Sequence, residues 1–174
     1  MERIELPTAR LLLRPFRTSD VDDALAYRND AEFARFLPHI PQPFTRGDAE
    51  AFVARNMAGS WEDSVTFAVV LDATVIGTVN LEIGSGTRAA MLGYAIGRSW
   101  WNRGIATEAA VAVMAWGIPA FALRRIWAST DARNVPSQRV LEKLGMLREG
   151  VRAADHPGRD NVMVDEVVYG LTCP

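Results

Sequence analysis

From residue 65 to residue 97 the chain reads "VTFAVVL", "TVIGTVNLEI" and "RAAMLGYAIG", three strand-like runs parted only by the turns "LDAT" and "GSGT". Connections that short turn a strand back along its neighbour, so the three runs predict an antiparallel meander. A helix beginning near Gly104 follows at once, and Gly117 and Pro119 are expected to kink or end it. Upstream, "ARLLLRPF" reads as a first strand ending near Pro15. "TSDVDDALAYRND" reads as a helix with Thr18 or Ser19 at its N-cap. Asp20, Asp22 and Asp23 are then first-turn acids favoured by the helix dipole rather than metal ligands. Residues 31–48 hold three of the nine prolines and predict an irregular, lid-like segment. "DAEAFVARNMAGS" resumes a helix. Downstream come a strand "RRIWAST", a helix "NVPSQRVLEKLG" with Gly145 at its C-cap, and strands "MLREGVRAA" and "NVMVDEVVYGLT" joined by the polar loop "DHPGRD". The fold class is mixed α/β, a largely antiparallel central sheet flanked by helices, in a single domain over residues 1–174.

Composition narrows the function classes. A net charge of −2 and a sequence pI of about 5.7 offer no basic face for nucleic acid or an anionic membrane. The single cysteine, Cys173, rules out a disulfide within the chain and suits a reducing, cytoplasmic compartment. Its place near the chain end argues against catalysis, because chain ends are poorly held. "MERIELPTAR" is charged where a signal peptide needs an apolar run. The longest apolar run, Ala109 to Leu123, falls short of the roughly 20 residues that span a bilayer and reads as a buried helix. Five tryptophans and the apolar "VMVDEVVYGL" strand leave room for a homodimer, although such residues more often belong to a core.

Few motifs survive inspection. His39 and His156 are the only histidines, and without a cysteine pair or a His-Glu-x-x-His spacing no metal site is expected. Neither a phosphate-binding Gly-x-x-x-x-Gly-Lys loop nor a Gly-x-Gly-x-x-Gly fingerprint is present, and "GSG" at 84–86 is a hairpin turn. What remains is "RGIATEAA" after the strand "MLGYAIG". The first N–H groups of a helix lack internal partners and carry partial positive charge. Gly104 and Ala106 leave those groups accessible, and Arg98 and Arg103 add charge nearby. From spacing alone, a phosphate-holding turn and an ordinary strand-to-helix turn stand level.

"YAIGRSWWNRGIATEA" followed by "IWASTDARNVPSQRVLEKLGM" resembles the GCN5-related N-acetyltransferase (GNAT) superfamily, in particular its branch that acetylates ribosomal-protein N-termini (RimJ/RimL-like). That family's phosphate loop, Gln/Arg-x-x-Gly-x-Gly/Ala, is matched by Trp101, Asn102, Arg103, Gly104, Ile105 and Ala106, with a tryptophan first as is common in this branch. The likeness runs from "ARLLLRPF" to "VDEVVYGL". It implies acetyl-CoA as co-substrate, with its pyrophosphate on the amides of Arg103, Gly104, Ile105, Ala106 and Thr107. The strand Tyr94, Ala95, Ile96 and Gly97 would present backbone groups to the pantetheine arm, where it splays from "RRIWAST". Asn134 matches an asparagine that bonds the arm, and it also suits a helix N-cap.

Acetyl transfer needs a neutral amine, a polarised thioester carbonyl and a proton for the leaving thiolate. The tyrosine that many relatives use as the proton donor is replaced here by Leu141. Ser137 matches the serine proposed for that duty in the N-terminal branch, and its plainer role is a first-turn hydroxyl satisfying the helix. Met91 stands where relatives often carry a glutamate base. Glu82, on the neighbouring strand, is the nearest carboxylate. The resemblance thus implies an acetyl-CoA-dependent N-acetyltransferase acting on a primary amine, foremost the α-amine of a peptide or protein N-terminus, by direct attack in a ternary complex. A small amine such as an antibiotic or amino-acid analogue is the alternative acceptor, and a non-catalytic acyl-CoA-binding protein is the alternative class.

Overall fold

Strands β3 (Ser64–Leu71), β4 (Thr74–Ile83) and β5 (Ala89–Ile96) form the expected meander, with Phe67 opposite Val79 and Val79 opposite Tyr94. The computed structural model describes residues 1–159 and 161–174. Asp160 and the side chain of His156, both expected in the polar connection, lie outside the described residues. Around the meander lie β1 (Leu6–Pro7), β2 (Leu12–Arg14), β6 (Arg125–Asp131), β7 (Leu147–Pro157) and β8 (Met163–Thr172). The eight strands run in the order β1-β2-β3-β4-β5-β6-β8-β7, antiparallel throughout except for the β5–β6 pair.

Side chains alternate between the two faces of this sheet, and each face has its own core. On one face α4 (Ile105–Ala120) and α5 (Val135–Lys143) pack against Phe67, Val79, Leu81, Leu92 and Ile126, contributing Val113 and Leu141. On the other, α1 (Val21–Arg28), α2 (Ala31–Ala34) and α3 (Arg46–Ala58) bring Tyr27, Phe33, Phe52 and Val53 onto Ala68, Val70 and Val75. No helix among the described residues is long and apolar enough to cross a membrane.

Several local expectations need correcting. The first strand is confined to Leu12–Arg14, with the short β1 paired beside it. Thr18 and Ser19 do not cap α1. Residues 18–20 form a 3-10 turn, and the Asp20 carboxylate accepts from the Arg17 N–H at 2.8 Å. The reason is Arg14, whose two terminal nitrogens each donate to Asp20 at 2.8 Å and so fix that carboxylate as the organising group of the turn. The segment 31–48 is irregular from residue 35 to residue 45, as expected, but begins with the short α2 and ends in the first turn of α3. Asp30 caps α2 by accepting from the N–H groups of Glu32 and Phe33, at 2.8 and 3.0 Å. From the β7–β8 connection, Arg159 donates to the carbonyls of Ala34, Leu37 and Ile40, at 3.0, 2.8 and 2.5 Å. Helix α4 passes Gly117 and ends just beyond Pro119, at Ala120. Gly117 serves packing instead: a Cβ there would lie 2.4 Å from Leu81 Cδ1. Strand β7 extends into the expected loop as far as Pro157. Cys173 is not loose either, since it is 4% exposed and its N–H donates to the Arg124 carbonyl at 2.9 Å.

Arg14 and Asp20 are 6% and 2% exposed. The bond to Asp20 raises the Arg14 pKa above its ordinary value even against burial. Removing one member of a buried pair strands the other charge, at a cost of about 3–5 kcal/mol. Asp20→Ala is therefore expected to lower the urea midpoint by that equivalent. Asp22→Ala, which breaks the exposed pair with Arg46, should leave it nearly unchanged.

Candidate active site

Strands β5 and β6 are paired only where Ala89–Met91 lies beside Arg125–Trp127. Past Met91 they part, and β6 keeps its partner β8 as far as Asp131. The gap exposes one edge of β5, and the ladder on the other edge identifies which groups face it. Gly97 N–H donates to the Ile76 carbonyl at 2.7 Å, and the Ala89 carbonyl accepts from Gly84 N–H at 2.8 Å. Because backbone groups alternate along a strand, odd-numbered residues of β5 face β4 and even-numbered ones face the gap. Tyr94 and Ile96 are thus the presenting residues, while Ala95 and Gly97 spend their backbone groups inside the sheet. The Ile96 carbonyl accepts from Trp101 Nε1 at 2.6 Å, leaving Ile96 N–H and both backbone groups of Tyr94.

Beyond β5 the chain turns sharply into α4. Asn102 and Gly104 adopt positive φ angles of 59° and 74°. Glycine takes that conformation without steric cost, and asparagine more readily than most residues. Among the described residues no side chain caps α4, and the first helical bond runs from Glu108 N–H to the Gly104 carbonyl. The N–H groups of Ile105, Ala106 and Thr107 are therefore left for an external acceptor. A carboxylate one turn in, Glu108, would compete with a bound anion, but it is already engaged. It accepts from Thr8 Oγ1 at 2.6 Å, Arg10 N–H at 2.9 Å and Arg10 Nε at 2.7 Å.

Helix α5 closes the other side of the gap. Asn134 Oδ1 accepts from Ser137 N–H at 3.3 Å, so Asn134 is the N-cap, and its amide donors have no protein partner among the described residues. The Tyr94 hydroxyl reaches across to Ser137, 2.9 Å from its Oγ and 3.0 Å from its carbonyl oxygen. Burial pushes the Tyr94 phenol up to about 12, with the Ser137 bond opposing, so it is neutral near pH 7. Leu141 is 1% exposed and belongs to the core.

These parts share one cleft of about 400 Å³. Of the residues singled out from sequence, Tyr94, Ala95, Ile96, Gly104, Ile105, Ala106, Thr107, Asn134 and Ser137 line it. Arg98 does not; it faces a separate cavity of about 200 Å³ beside Asp23 and Asp30. Gly97 and Arg103 also stay outside the lining, although the Arg103 carbonyl accepts from Arg10 Nη1 at 2.9 Å. Glu82 stands exposed next to Leu81, on the sheet face opposite Tyr94. Sequence reading missed Phe33, Phe36 and Leu37, which form one wall, and Arg139 and Lys143, which line the α5 side. The two cations were legible as an i, i+4 pair on the helix that carries Asn134. The wall residues fall in the segment 31–48, and their places are set by groups outside it, Asp30 capping Phe33 and Arg159 gathering the carbonyls of Ala34, Leu37 and Ile40.

Burial alone would raise the Glu108 carboxyl, but the hydrogen bonds from Thr8 and Arg10 outweigh it and hold it below its ordinary pKa. A depressed carboxyl stabilises the fold at neutral pH, and the contribution is lost as pH falls through its folded value. The urea midpoint of the native chain is expected to exceed that of Glu108→Gln at pH 7. That difference should narrow as the pH is lowered through and below the ordinary carboxylate range.

Comparison with known proteins agrees with this geometry. The model of the acetyltransferase (GNAT) domain family matches residues 10–147. The N-acetyltransferase YnaD of Bacillus subtilis (strain 168) is 32% identical over 170 residues, covering 97% of this chain and 96% of its own. The crystal structure of a GNAT-family acetyltransferase from Bacillus anthracis superposes with a TM-score of 0.86 at 30% identity, covering 97% of this chain and 98% of that one. The ribosomal-protein-S5-alanine acetyltransferase of Vibrio fischeri shares the fold, with a TM-score of 0.84 at 22% identity over 97% of this chain and 96% of that one. A parted parallel strand pair, an uncapped glycine turn and a family match across most of the length converge: the chain belongs to the GNAT family of N-acetyltransferases.

Proposed function

We propose that this N-acetyltransferase moves the acetyl group of acetyl-CoA to the α-amine of a peptide or protein N-terminus, as a member of the RimJ/RimL-like branch. The observation that carries this reading is the shortage of bases in the cleft, where Glu32 is the one carboxylate among the described lining residues. An α-amine has a pKa of about 7.7–8.0 against about 10.4 for lysine, so its neutral fraction at pH 7 is roughly 230 to 420 times larger. A site without a buried base therefore suits an α-amine far better than a lysine side chain. The likeness of the paired sequence motifs to the N-terminal branch supports the same acceptor.

Acetyl-CoA supplies an activated acetyl thioester. In this reading the free amides of Ile105, Ala106 and Thr107 hold its pyrophosphate, and Arg139 and Lys143 add positive charge along the same cleft. Tyr94 and Ile96 offer backbone groups to the pantetheine arm, and Asn134 offers its amide donors. As the amine nitrogen bonds to the acetyl carbon and the carbon–sulfur bond breaks, Ser137 gives a proton to the departing sulfur. The proton that the amine sheds passes to solvent, which returns one to Ser137; Glu82, outside the cleft on the opposite sheet face, is not placed to take it.

Two measurements test this. Acetyl-CoA at 100 times its Kd stabilises the native state by about 2.7 kcal/mol. For a chain of this size the Tm is expected to rise by about 5–10 °C, and Gly104→Glu should weaken the rise by placing an anion in the turn. An unchanged Tm at saturating acetyl-CoA refutes the reading. A mass-spectrometric screen of N-terminal peptides against small amines and lysine side chains is expected to find acetylated α-amines. Exclusive modification of small amines would transfer the reading to that class.

A further inference from the structure

The cleft contains a hydroxyl pair, Ser137 Oγ and Tyr94 Oη. Ser137 occupies the third position of α5, after Asn134 at the cap and Pro136. A serine in a first turn commonly turns its hydroxyl back onto its own helix. Here no such bond is made among the described residues, and the partner of Ser137 Oγ is Tyr94 Oη at 2.9 Å. The phenol comes from β5, on the far side of the gap, so this contact bridges the two elements that bound the cleft. The phenol has one proton and two acceptors in reach, Ser137 Oγ and the Ser137 carbonyl at 3.0 Å.

We propose that Tyr94 is a positioning residue for Ser137: its hydroxyl proton, shared between the Ser137 carbonyl and Ser137 Oγ, turns the serine's own proton into the cleft. A hydroxyl oxygen that accepts one bond still has its O–H to give, whereas a serine donating to tyrosine has none. Tyr94 is the residue able to decide between these states, since Leu141 is buried in the core and carries no donor. The phenol stays protonated near neutrality, as this direction of donation requires. The inference rests on the assignment of Ser137 as proton donor to sulfur.

The test combines turnover with binding. The variants are Tyr94→Phe, which removes only an oxygen, Ser137→Ala, their double variant, and Ser137→Thr, which keeps the hydroxyl. Calorimetric Kd values are measured for CoA and for desulfo-CoA, which lacks the sulfur, at pH about 9.5, where a thiol is largely ionised. The native enzyme is expected to prefer CoA by about tenfold, as one hydrogen bond to a charged acceptor would give. Tyr94→Phe and Ser137→Ala should each bring that ratio close to one, and Ser137→Thr should keep it. In turnover, Ser137→Ala and Tyr94→Phe are each expected to cost about 100-fold in kcat, with KM for acetyl-CoA little changed. The double variant should be no worse than Ser137→Ala. Losses that multiply in the double variant, or a sulfur preference that survives Tyr94→Phe, overturn the proposal. A Ser137→Ala enzyme with native kcat and sulfur preference removes the serine assignment, and this proposal with it, while CoA binding itself stands. Failure of the native enzyme to bind CoA at all removes the cofactor reading beneath both.

Discussion

Everything at the site depends on two parallel strands that cease to be neighbours. Beyond Met91, β5 and β6 no longer exchange hydrogen bonds, and each is held from its other side, by β4 and β8. A strand edge with unpaired groups ordinarily invites another strand. Here the opening is bounded by α4, α5 and the wall at Phe36 and Leu37, so it admits an extended ligand rather than a sheet. The alternation of backbone groups then leaves Tyr94 facing the opening with its N–H and carbonyl, while its side chain crosses to Ser137.

The second organising principle is the separation of opposite charges. A helix start left open for an anion cannot tolerate a free carboxylate in its first turns, yet Glu108 stands there. Thr8 and Arg10, on the connection between the first two strands, absorb it. The turn at Gly104 is thus electrostatically available because the N-terminal segment is folded against it. The same connection ties β1 and β2 to α4, so local stability and ligand access rest on one set of bonds.

Much of this was legible in the sequence, and the reasons differ by element. The meander, α4, β6 and α5 announced themselves through short turns, apolar runs and the glycine before "IATEAA". The paired motifs located the cleft because they encode backbone shape at neighbouring positions. Asn134 was readable as a cap, and because one amide has both an acceptor and donors, capping leaves its donors without a protein partner among the described residues. The 3-10 turn at residues 18–20 was not readable. Its cause is the ion pair between Arg14 and Asp20, and a local reading saw only hydroxyl caps. Nor did the sequence disclose that Tyr94 would reach Ser137, 43 positions away, because that contact exists only once the strands have parted.

Arg159 extends this point to the opposite end of the chain. Its guanidinium gathers three carbonyls of the segment that carries Phe36 and Leu37, and it does so from the connection between β7 and β8. The contour of the cleft's aromatic wall is therefore held by a side chain that never touches the cleft. In an inherited lineage, a substitution in that hairpin connection could alter what the wall admits while every cleft-lining residue is retained. Two relatives with identical cleft sequences need not share an acceptor, and the hairpin is the place to look for the difference.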